Sequence, residues 1–489
     1  MNTEVFLGIL KLLGGLGMFL FGMNVMGDGL EKRGGGSLKS ILENLTSNRF
    51  KGVALGALVT AVIQSSSATT VMVVGFVNSG LMTLSQSIGI IMGANIGTTI
   101  TAWILSLAGI EGDSFGMMML KPENFSLIFA TIGIVLSFSK KEKHKDVGNI
   151  LLGFTVLMYG MKMMSGAVAP LKESEAFCNI LIMFSNPILG ILVGAGLTAI
   201  IQSSSASVGI LQALCSTGAV RYSNAIPIIM GQNIGTCVTA AISAIGANKN
   251  AKRVAVVHLS FNVIGTLVFL VLFYSIQYTI GFGFYESEMD PAKIATVHTI
   301  FNIFATVLLI PFTKQLEKLA NFIIKDKNNA GETQLLDERL LETPTVAVQQ
   351  AQRVTTQMMH TSVEALDKSL AMLENGYTES TAEEIQELEN QVDMYEDKLG
   401  TYLVKLSHHH LNYDDSHKVS NLLHTIGDFE RMSDHAVNLS DSAKEIHEKK
   451  VEFSEEGRKE LRIMAGAIKD ILALTAEAYE NKILSLHNK

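Results

Sequence analysis

Two copies of a polar tetrapeptide, Gln-Ser-Ser-Ser, interrupt long apolar stretches of this 489-residue chain, at Gln64 and again at Gln202. Polar groups among apolar ones cost free energy unless they have partners, so a repeated tetrad of this kind indicates a lined cavity. Serine favours the start of a helix, where free backbone N–H groups carry partial positive charge. We therefore expect each tetrad to begin a half-helix whose N-terminus can bind an anion.

A second motif, Gly-x-Asn-Ile-Gly-Thr, follows each tetrad at the same distance along the chain, beginning at Gly93 and at Gly231. Its carboxamide and hydroxyl oxygens, with those of the tetrad glutamines, suit a hard cation such as sodium. Small and hydroxylated residues can also serve only close helix packing, but the duplication of both motifs favours a binding site. The predicted sodium ligands are Gln64, Asn95, Thr98, Gln202, Asn233 and Thr236.

Both motifs belong to an internal duplication, in which one constant offset aligns Gln64 with Gln202 and Gly93 with Gly231. In its most similar part, about 25 of 58 aligned positions are identical. The same offset pairs Gly15 with Gly153 and Gly22 with Gly160. The duplication therefore includes the N-terminal apolar stretch, which we interpret as a retained helix rather than a signal peptide.

Charge and hydropathy divide the chain into two parts. Residues 1–313 hold 18 basic and 14 acidic side chains, whereas residues 314–489 hold 20 and 32. The positive charges of the first part lie in short clusters between apolar stretches, so no basic face for nucleic acid is expected. The first part is typical of a membrane protein, and the second of an acidic soluble domain.

Seven apolar runs have the length of a membrane span. Two further windows, residues 52–78 and 186–217, are too long for one untilted span and contain the tetrads. Each window is either one polar-faced span or a re-entrant hairpin of two half-helices with the serines at its tip. The seven predicted spans are residues 6–28, 85–110, 123–139, 148–168, 223–247, 254–276 and 292–313.

The distribution of charged loops favours the hairpins. Basic clusters lie at residues 32–51, 140–145 and 249–253, and acidic loops at 111–113 and 286–290. If both tetrad windows are re-entrant, all basic clusters fall on one side of the membrane and both acidic loops on the other. The duplicated units are then separated by an odd number of spans, which predicts inverted repeats.

Charged side chains are almost absent around the tetrads. Residues 52–110 contain none, and residues 190–247 contain only Arg221. A dianion bound there would need charge compensation, because an unpaired buried charge is very costly. Bound cations would supply it, and Arg221 is an alternative counter-charge.

Two histidine-asparagine pairs occur in late apolar stretches, His258 with Asn262 and His298 with Asn302. Residues at this spacing share one helix face. A buried hydrogen bond between helices and a contact with a proton or the substrate are both open interpretations of these pairs.

The acidic tail has an amphipathic helical pattern from about residue 342, with breaks near residues 375, 412 and 454. This predicts three or four helices in an antiparallel bundle. Two pairs of carboxylates stand at i and i+4, so each pair shares a helix face. They are either a solvated surface or a site for a divalent or trivalent metal ion, with Glu389, Asp393, Glu430 and Asp434 as ligands.

The paired motifs at residues 64–67 and 202–205, each followed by Gly-x-Asn-Ile-Gly-Thr, resemble the sodium-dependent phosphate cotransporter family, which contains the type II sodium/phosphate cotransporters and bacterial relatives. The likeness covers about residues 5–313. The segment DFERMSDHAVNL at 428–439 resembles the signature of PhoU-type domains, and that likeness covers about residues 345–485.

The resemblance implies sodium-coupled symport of inorganic phosphate by alternating access, rather than enzymatic catalysis. It implies a multi-pass protein of the inner cell membrane with a cytoplasmic regulatory tail, which could recruit phosphate-signalling proteins, and the protein could form a homodimer. A membrane-anchored phosphate sensor that acts through a tail metal, and a carrier of another oxyanion, are the alternatives. The implied phosphate ligands are Ser65, Ser66, Ser67, Ser203, Ser204 and Ser205.

The predicted fold is an all-α polytopic membrane protein with inverted repeats and two re-entrant helical hairpins, followed by a soluble antiparallel helical bundle. Its predicted divisions are a membrane domain at 1–313, with repeats at about 5–139 and 148–313, a linker at 314–344, and a PhoU-like domain at 345–489.

Overall fold

The chain folds into two compact units, residues 1–334 and residues 335–489. The computed structural model describes residues 3–43, 48–78, 80, 82–110, 121–325, 336–409, 411 and 413–487. Within these residues the regular structure is helical, and the β-type pairing is a single isolated bridge between Arg221 and Glu288. The predicted all-α class is confirmed.

The first unit contains thirteen α-helices among its described residues. They are α1 (Thr3–Glu43), α2 (Arg49–Ile63), α3 (Ser66–Asn78), α4 (Leu84–Ser106), α5 (Pro122–Ser137), α6 (Glu142–Val168), α7 (Glu175–Met183), α8 (Pro187–Ile201), α9 (Ser204–Leu214), α10 (Tyr222–Ser243), α11 (Lys249–Thr279), α12 (Pro291–Leu309) and α13 (Thr313–Ile323).

Six helical segments in the described residues are long and apolar enough to cross a membrane: Phe6–Leu30, Leu84–Gly109, Glu142–Leu171, Tyr222–Ser243, Lys249–Thr279 and Pro291–Ile323. Large apolar side chains on the outside of the unit remain exposed, such as Ile200 (83%), Ile245 (75%) and Val307 (65%). Such a surface is costly in water but not in lipid, so the first unit is a multi-pass membrane unit.

Six of the seven predicted spans have counterparts among these segments. The seventh, predicted at 123–139, is helix α5, whose 16 residues extend only about 24 Å at 1.5 Å per residue. It ends early because Lys140 and Lys141 follow it and a new helix begins at Glu142. The acidic loop predicted at 111–113 lies outside the described residues.

The first tetrad window is a re-entrant hairpin. Helices α2 and α4 pack in parallel, because Gly52 near the start of α2 faces Gly89 near the start of α4, and Gly97 further along α4 faces Ala57. Helix α3, which connects them, must therefore run back to the side from which α2 entered. The half-helices have 15 and 13 residues, too few for a full crossing.

The second tetrad window repeats this arrangement in α8, α9 and α10. Gly194 of α8 lies against the Ile228 carbonyl of α10, and Gly235 lies against Ala195 further along both helices. The short helix α7 is bent by 102° from α8, so these two helices do not form one straight span. Both hairpins predicted from the charge distribution are confirmed.

Helices α1 and α6, which begin the two repeats, pack against each other through glycines. A Cβ atom at Gly22 would lie 2.6 Å from the Gly153 carbonyl oxygen, and one at Gly15 would lie 3.1 Å from the Gly160 carbonyl oxygen. The contact order is reversed, so the two helices are antiparallel. Because the offset of the duplication equates Gly15 with Gly153 and Gly22 with Gly160, equivalent residues occupy both sides of this interface.

In its described residues the second unit contains four long helices, α14 (Pro344–Asn375), α15 (Glu379–Ser407), α16 (Tyr413–Glu448) and α17 (Glu455–His487). The predicted breaks are confirmed: Gly376 has a positive φ of 103° after α14, and the Ser454 hydroxyl accepts the Gly457 N–H at 3.0 Å at the start of α17. Buried Leu366, Leu370 and Ile385 belong to its core.

The segment predicted as a linker is partly helical where it is described. Helix α13 occupies its beginning, in the first unit, and a short 3₁₀ helix at Glu338–Glu342 precedes α14. Residues 326–335 lie outside the described part of the chain.

Candidate functional site

The two tetrads have the same backbone conformation. The first half-helix of each hairpin ends at a glutamine in the left-handed region, with φ 59° at Gln64 and φ 57° at Gln202. The next serine caps the second half-helix, because Ser65 Oγ accepts the Ala68 N–H at 3.1 Å and Ser203 Oγ accepts the Ala206 N–H at 3.2 Å. The glutamine reverses the chain, and the serine fixes the new helix start.

The two tips meet inside the membrane unit. Ser66 Oγ lies 3.4 Å from Ser204 Oγ, and the Ser67 hydroxyl donates to the Gln202 carbonyl oxygen at 3.3 Å. Ser66 and Ser204 are equivalent positions of the duplication, and both are buried. Two helix N-termini therefore converge on one point from the two repeats.

The six predicted phosphate ligands differ in what their hydroxyls do. The oxygens of Ser65 and Ser203 accept the capping N–H groups. Ser66, Ser67 and Ser204 take part in the contacts between the tips. Ser205 is buried at 6% exposure beside them in the first turn of α9. An anion at the tips would thus meet the central serines rather than all six equally.

The predicted sodium ligands differ in their surroundings. Gln64 is buried, and its Oε1 accepts the Thr101 hydroxyl at 3.0 Å. Asn95 Nδ2 donates to Asn262 Oδ1 at 3.4 Å, at a contact between α4 and α11. Gln202 is exposed. Thr101 and Asn262 were not among the predicted ligands, although Thr101 is identical to Thr239 in the second repeat and could have been found by that identity.

The remaining predicted ligands bond within their own helices. The hydroxyls of Thr98 and Thr236 donate to the carbonyl oxygens one helical turn earlier, each at 2.9 Å, and Asn233 Nδ2 donates to the Ile229 carbonyl oxygen at 3.0 Å. These bonds leave oxygen lone pairs free, so the groups can still coordinate a cation.

Arg221 is not placed as a counter-charge for the tips. It stands in the loop before α10, where its guanidinium forms an ion pair with Glu286 at 3.4 Å and its side chain is 49% exposed. The tips therefore carry only partial positive charge, from their N–H groups and hydroxyls.

In the tail, the four predicted metal ligands lie near one another but do not form a metal site. Burial and the nearby Asp393 and Asp434 raise the pKa of Glu389, and burial and Asp434 raise the pKa of Glu430. However, no group of three or more His, Cys, Asp or Glu side chains in the described residues is placed to hold a metal ion. The charges are close enough to repel across α15 and α16 without converging, so the structure does not support the predicted tail metal site.

Comparison with protein families agrees with this architecture. The profile of the Na+/Pi-cotransporter family matches the chain twice, over residues 18–166 and 157–290, which together are more than half of it. The PhoU domain profile matches residues 355–443, within the helical tail. No solved structure gives a significant match.

Individual relatives are distant but extensive. "Uncharacterized protein YqeW" of Bacillus subtilis is 29% identical over 63% of this chain and 96% of its own length. The Escherichia coli K12 protein named "Putative inorganic phosphate export protein YjbB" is 26% identical over 93% of this chain and 82% of its own length. Human "Sodium-dependent phosphate transport protein 2B" is 26% identical over 55% of this chain and 59% of its own length. The chain, with its two meeting hairpins and PhoU-matching tail, belongs to the Na+/Pi-cotransporter family, a family of transporters.

Proposed function

We propose that the protein is a sodium-coupled symporter of inorganic phosphate that works by alternating access. The observation that carries this proposal is the meeting of the two tetrads, with Ser66 Oγ and Ser204 Oγ 3.4 Å apart at the ends of two half-helices. Phosphate is an oxygen-rich anion that accepts several hydrogen bonds at once. Two convergent helix N-termini with serine hydroxyls supply such donors from both sides.

Sodium coupling follows from the charge of the site. The residues around the tips are uncharged, and Arg221 is engaged with Glu286. A phosphate dianion in a dry cavity requires compensation, which the oxygen ligands Gln64 and Asn95 and their counterparts could provide by holding sodium ions. Each sodium ion that moves down a 100 mV potential contributes about 2.3 kcal/mol, so the same ions can drive transport.

Alternating access is supported by the relation between the two repeats. Their first helices, α1 and α6, are antiparallel and contact each other through equivalent glycines. Repeats in inverted orientation around a shared midplane site allow one unit to rock against the other and expose that site to either side. The two hairpin tips are then the fixed site of the transport cycle.

We place the protein in the inner cell membrane with the tail in the cytoplasm. The basic clusters at 32–51, 140–145 and 249–253 would all face the cytoplasm under the positive-inside rule. In this arrangement the PhoU-like tail regulates transport from the cytoplasmic side.

The test is phosphate flux into proteoliposomes that contain the purified full chain. An inward sodium gradient should accelerate uptake at least severalfold over an equal potassium gradient, and collapse of the sodium gradient should abolish the difference. Equal rates in sodium and potassium would contradict the coupling. A chain truncated after residue 324 should retain the flux, whereas a phosphate sensor without transport would show no flux in either form.

Net export is a second candidate for the direction of transport. It is favoured by the coverage of the relative named as a phosphate export protein, which extends over 93% of this chain and therefore includes the tail. Proteoliposomes preloaded with phosphate decide between the directions. Efflux that proceeds without sodium on the phosphate side would favour export by another mechanism and would contradict obligatory symport.

A further inference from the structure

Helices α11 and α12 carry the same spaced motif, His-x-x-Phe-Asn-x-x-x-Thr, at residues 258–266 and 298–306. Histidine, asparagine and threonine follow one another at i, i+4 and i+8 in each copy, so they share one helix face. All six side chains are buried, with exposures of 4% or less. Two equivalent polar stripes, made of residues outside both tetrad motifs, therefore lie inside the membrane unit.

The stripes meet at equivalent positions. A Cβ atom at Gly265 would lie 3.0 Å from the Ala305 Cβ, and these two residues correspond in the two copies of the motif. The chain reverses between the end of α11 at Thr279 and the start of α12 at Pro291. Gly265 lies as far before that reversal as Ala305 lies after it. The two helices thus form an antiparallel pair with this contact within it.

The asparagines and threonines of both copies surround that contact. At a rise of 1.5 Å per residue, each lies within about 4.5 Å of it along its own helix axis. The bonds of Asn262 and Trp103 show that both helices present this region to α4, since Asn262 accepts from Asn95 and Thr299 accepts from Trp103. Helix α4 therefore contacts both helices and borders the group at Asn262.

The side-chain N–H groups of both asparagines have partners, but among the described residues the two threonine hydroxyls and one asparagine oxygen do not. Asn262 Nδ2 donates to the His258 carbonyl at 3.0 Å, and Asn302 Nδ2 donates to the His298 carbonyl at 2.8 Å. Asn262 Oδ1 accepts from Asn95, whereas Asn302 Oδ1 has no partner among the described residues. Among the described residues, the three oxygens without a hydrogen-bond partner here are Thr266 Oγ1, Asn302 Oδ1 and Thr306 Oγ1.

Thr266 and Thr306, like Thr198 and Thr239 of the second repeat, have hydroxyls without a partner among the described residues, and they differ in this from threonines that bond within their own helix. The hydroxyls of Thr98 and Thr236 donate to the carbonyl oxygen one helical turn earlier, which is a common hydrogen bond of a buried threonine in a helix. Thr266 and Thr306 do not, although their environment is just as buried. Buried oxygens without partners are costly, so a group of three indicates a ligand that supplies positive charge or donors.

The chemistry of the group selects a monovalent hard cation. Its ligands are neutral amide and hydroxyl oxygens, and no Asp, Glu, Lys or Arg occurs at 254–285 or 294–312. Calcium and magnesium sites use carboxylates for charge, which this group lacks. We propose that Thr266, Asn302 and Thr306, together with Asn262, form a sodium site between α11 and α12 to which no tetrad serine contributes, and which adjoins Asn95 of α4 through Asn262. This inference rests on the proposed sodium-coupled transport.

The test is direct binding of radioactive sodium to the purified full chain in the absence of phosphate. The double variant Thr266→Val and Thr306→Val keeps the side-chain shape and removes two ligands. We expect it to bind one sodium ion fewer than wild type, and the sodium concentration for half-maximal flux to rise about tenfold or more. The matched control is Thr296→Val, whose hydroxyl donates to Ala292 on the same helix, and it should bind sodium like wild type.

The possible results distinguish a failure of the sodium site from a failure of the proposed sodium-coupled transport. Sodium binding and flux of the double variant equal to those of wild type would overturn the site but leave sodium coupling intact. A wild type that binds no sodium would instead contradict the proposed function.

If the double variant does not fold, a second variant tests the proposed site. Asn302→Asp places a carboxylate among the ligands, so sodium should raise its melting temperature more than that of wild type. Lower stability that sodium does not restore would overturn the proposal.

Discussion

The two hairpin tips share one backbone but differ in side-chain environment. Gln64 and Gln202 reverse the chain with φ angles of 59° and 57°, and the serine that follows each caps a half-helix in the same way. Yet Gln64 is buried against Thr101, whereas Gln202 is exposed. Duplication has preserved the turn and not the surroundings of the turn.

The hydrogen bonds around the tips show the same difference. In the first repeat, the Thr60 hydroxyl donates to Thr69 Oγ1 at 3.0 Å. The equivalent oxygens of Thr198 and Ser207 in the second repeat are buried and have no partner among the described residues. Among the described residues, the first repeat has no unpartnered buried side-chain oxygen, whereas the second repeat has several.

The largest expected effect is on phosphate binding by Ser66 and Ser204, the equivalent serines that meet at the two tips. Ser66→Ala and Ser204→Ala should each weaken phosphate binding about tenfold, and the double variant about 100-fold, because each removes one hydrogen bond to a charged ligand. Equilibrium binding of radioactive phosphate to the purified protein measures this.

Ser87→Ala is the control for this pair, because Ser87 is equally buried but its hydroxyl donates to the Leu84 carbonyl. A strong effect of one tip serine and none of the other would show that the asymmetry extends to the anion itself.

A smaller effect, on stability, is expected at the glycines where α4 packs against α2 and where α10 packs against α8. Cβ atoms at Gly93 and Gly231 would lie 2.0 Å from the Val53 carbonyl oxygen and 2.1 Å from the Ile191 carbonyl oxygen. Substitution of either glycine by alanine should therefore destabilise the unit by about 1–3 kcal/mol, equally in both repeats. Thermal unfolding in detergent measures the loss, with Gly196→Ala, whose Cβ would meet nothing within 4 Å, as the neutral control. Unequal losses of stability in the two variants would show that the two repeats also differ in helix packing.

The smallest expected effect is a difference in stability between variants of two equivalent threonines, Thr101 and Thr239. Thr101→Val leaves the buried Gln64 Oε1 without its donor and should cost about 1–2 kcal/mol of stability. Thr239→Val, at the equivalent position, removes a buried hydroxyl that has no partner and should cost nothing in sodium-free buffer. Chemical unfolding of both variants without sodium tests this difference. Equal losses would contradict the division into a satisfied and an unsatisfied repeat.

The sequence predicts the hairpins well for physical reasons. Serine after a long apolar run breaks a helix and caps the next one, and the charged loops agree with only one path through the membrane. The end of the predicted span at 123–139 was harder, because the apolar run continues past the last helical residue, Ser137, and only the following lysines stop it.

Other features depend on tertiary contacts that no local pattern shows. Glutamine is an unusual residue for the left-handed turn, which glycine and asparagine favour, so its φ angle at both tips could not be predicted. The burial of Gln64 depends on Thr101, which is distant in sequence. The spacing of each carboxylate pair in the tail predicts a shared helix face, but the distance between the two pairs depends on the packing of α15 against α16, which no local pattern shows.

The interface between α1 and α6 has a consequence for how such a chain can be assembled. Gly15 lies against Gly160 and Gly22 against Gly153, so each side presents the same residues to the other. An interface of this kind is isologous, like that of a symmetric dimer, and it does not depend on a covalent connection between its sides. Two copies of a single ancestral half, inserted in opposite orientations, could have formed the same contact before the halves were joined into one gene.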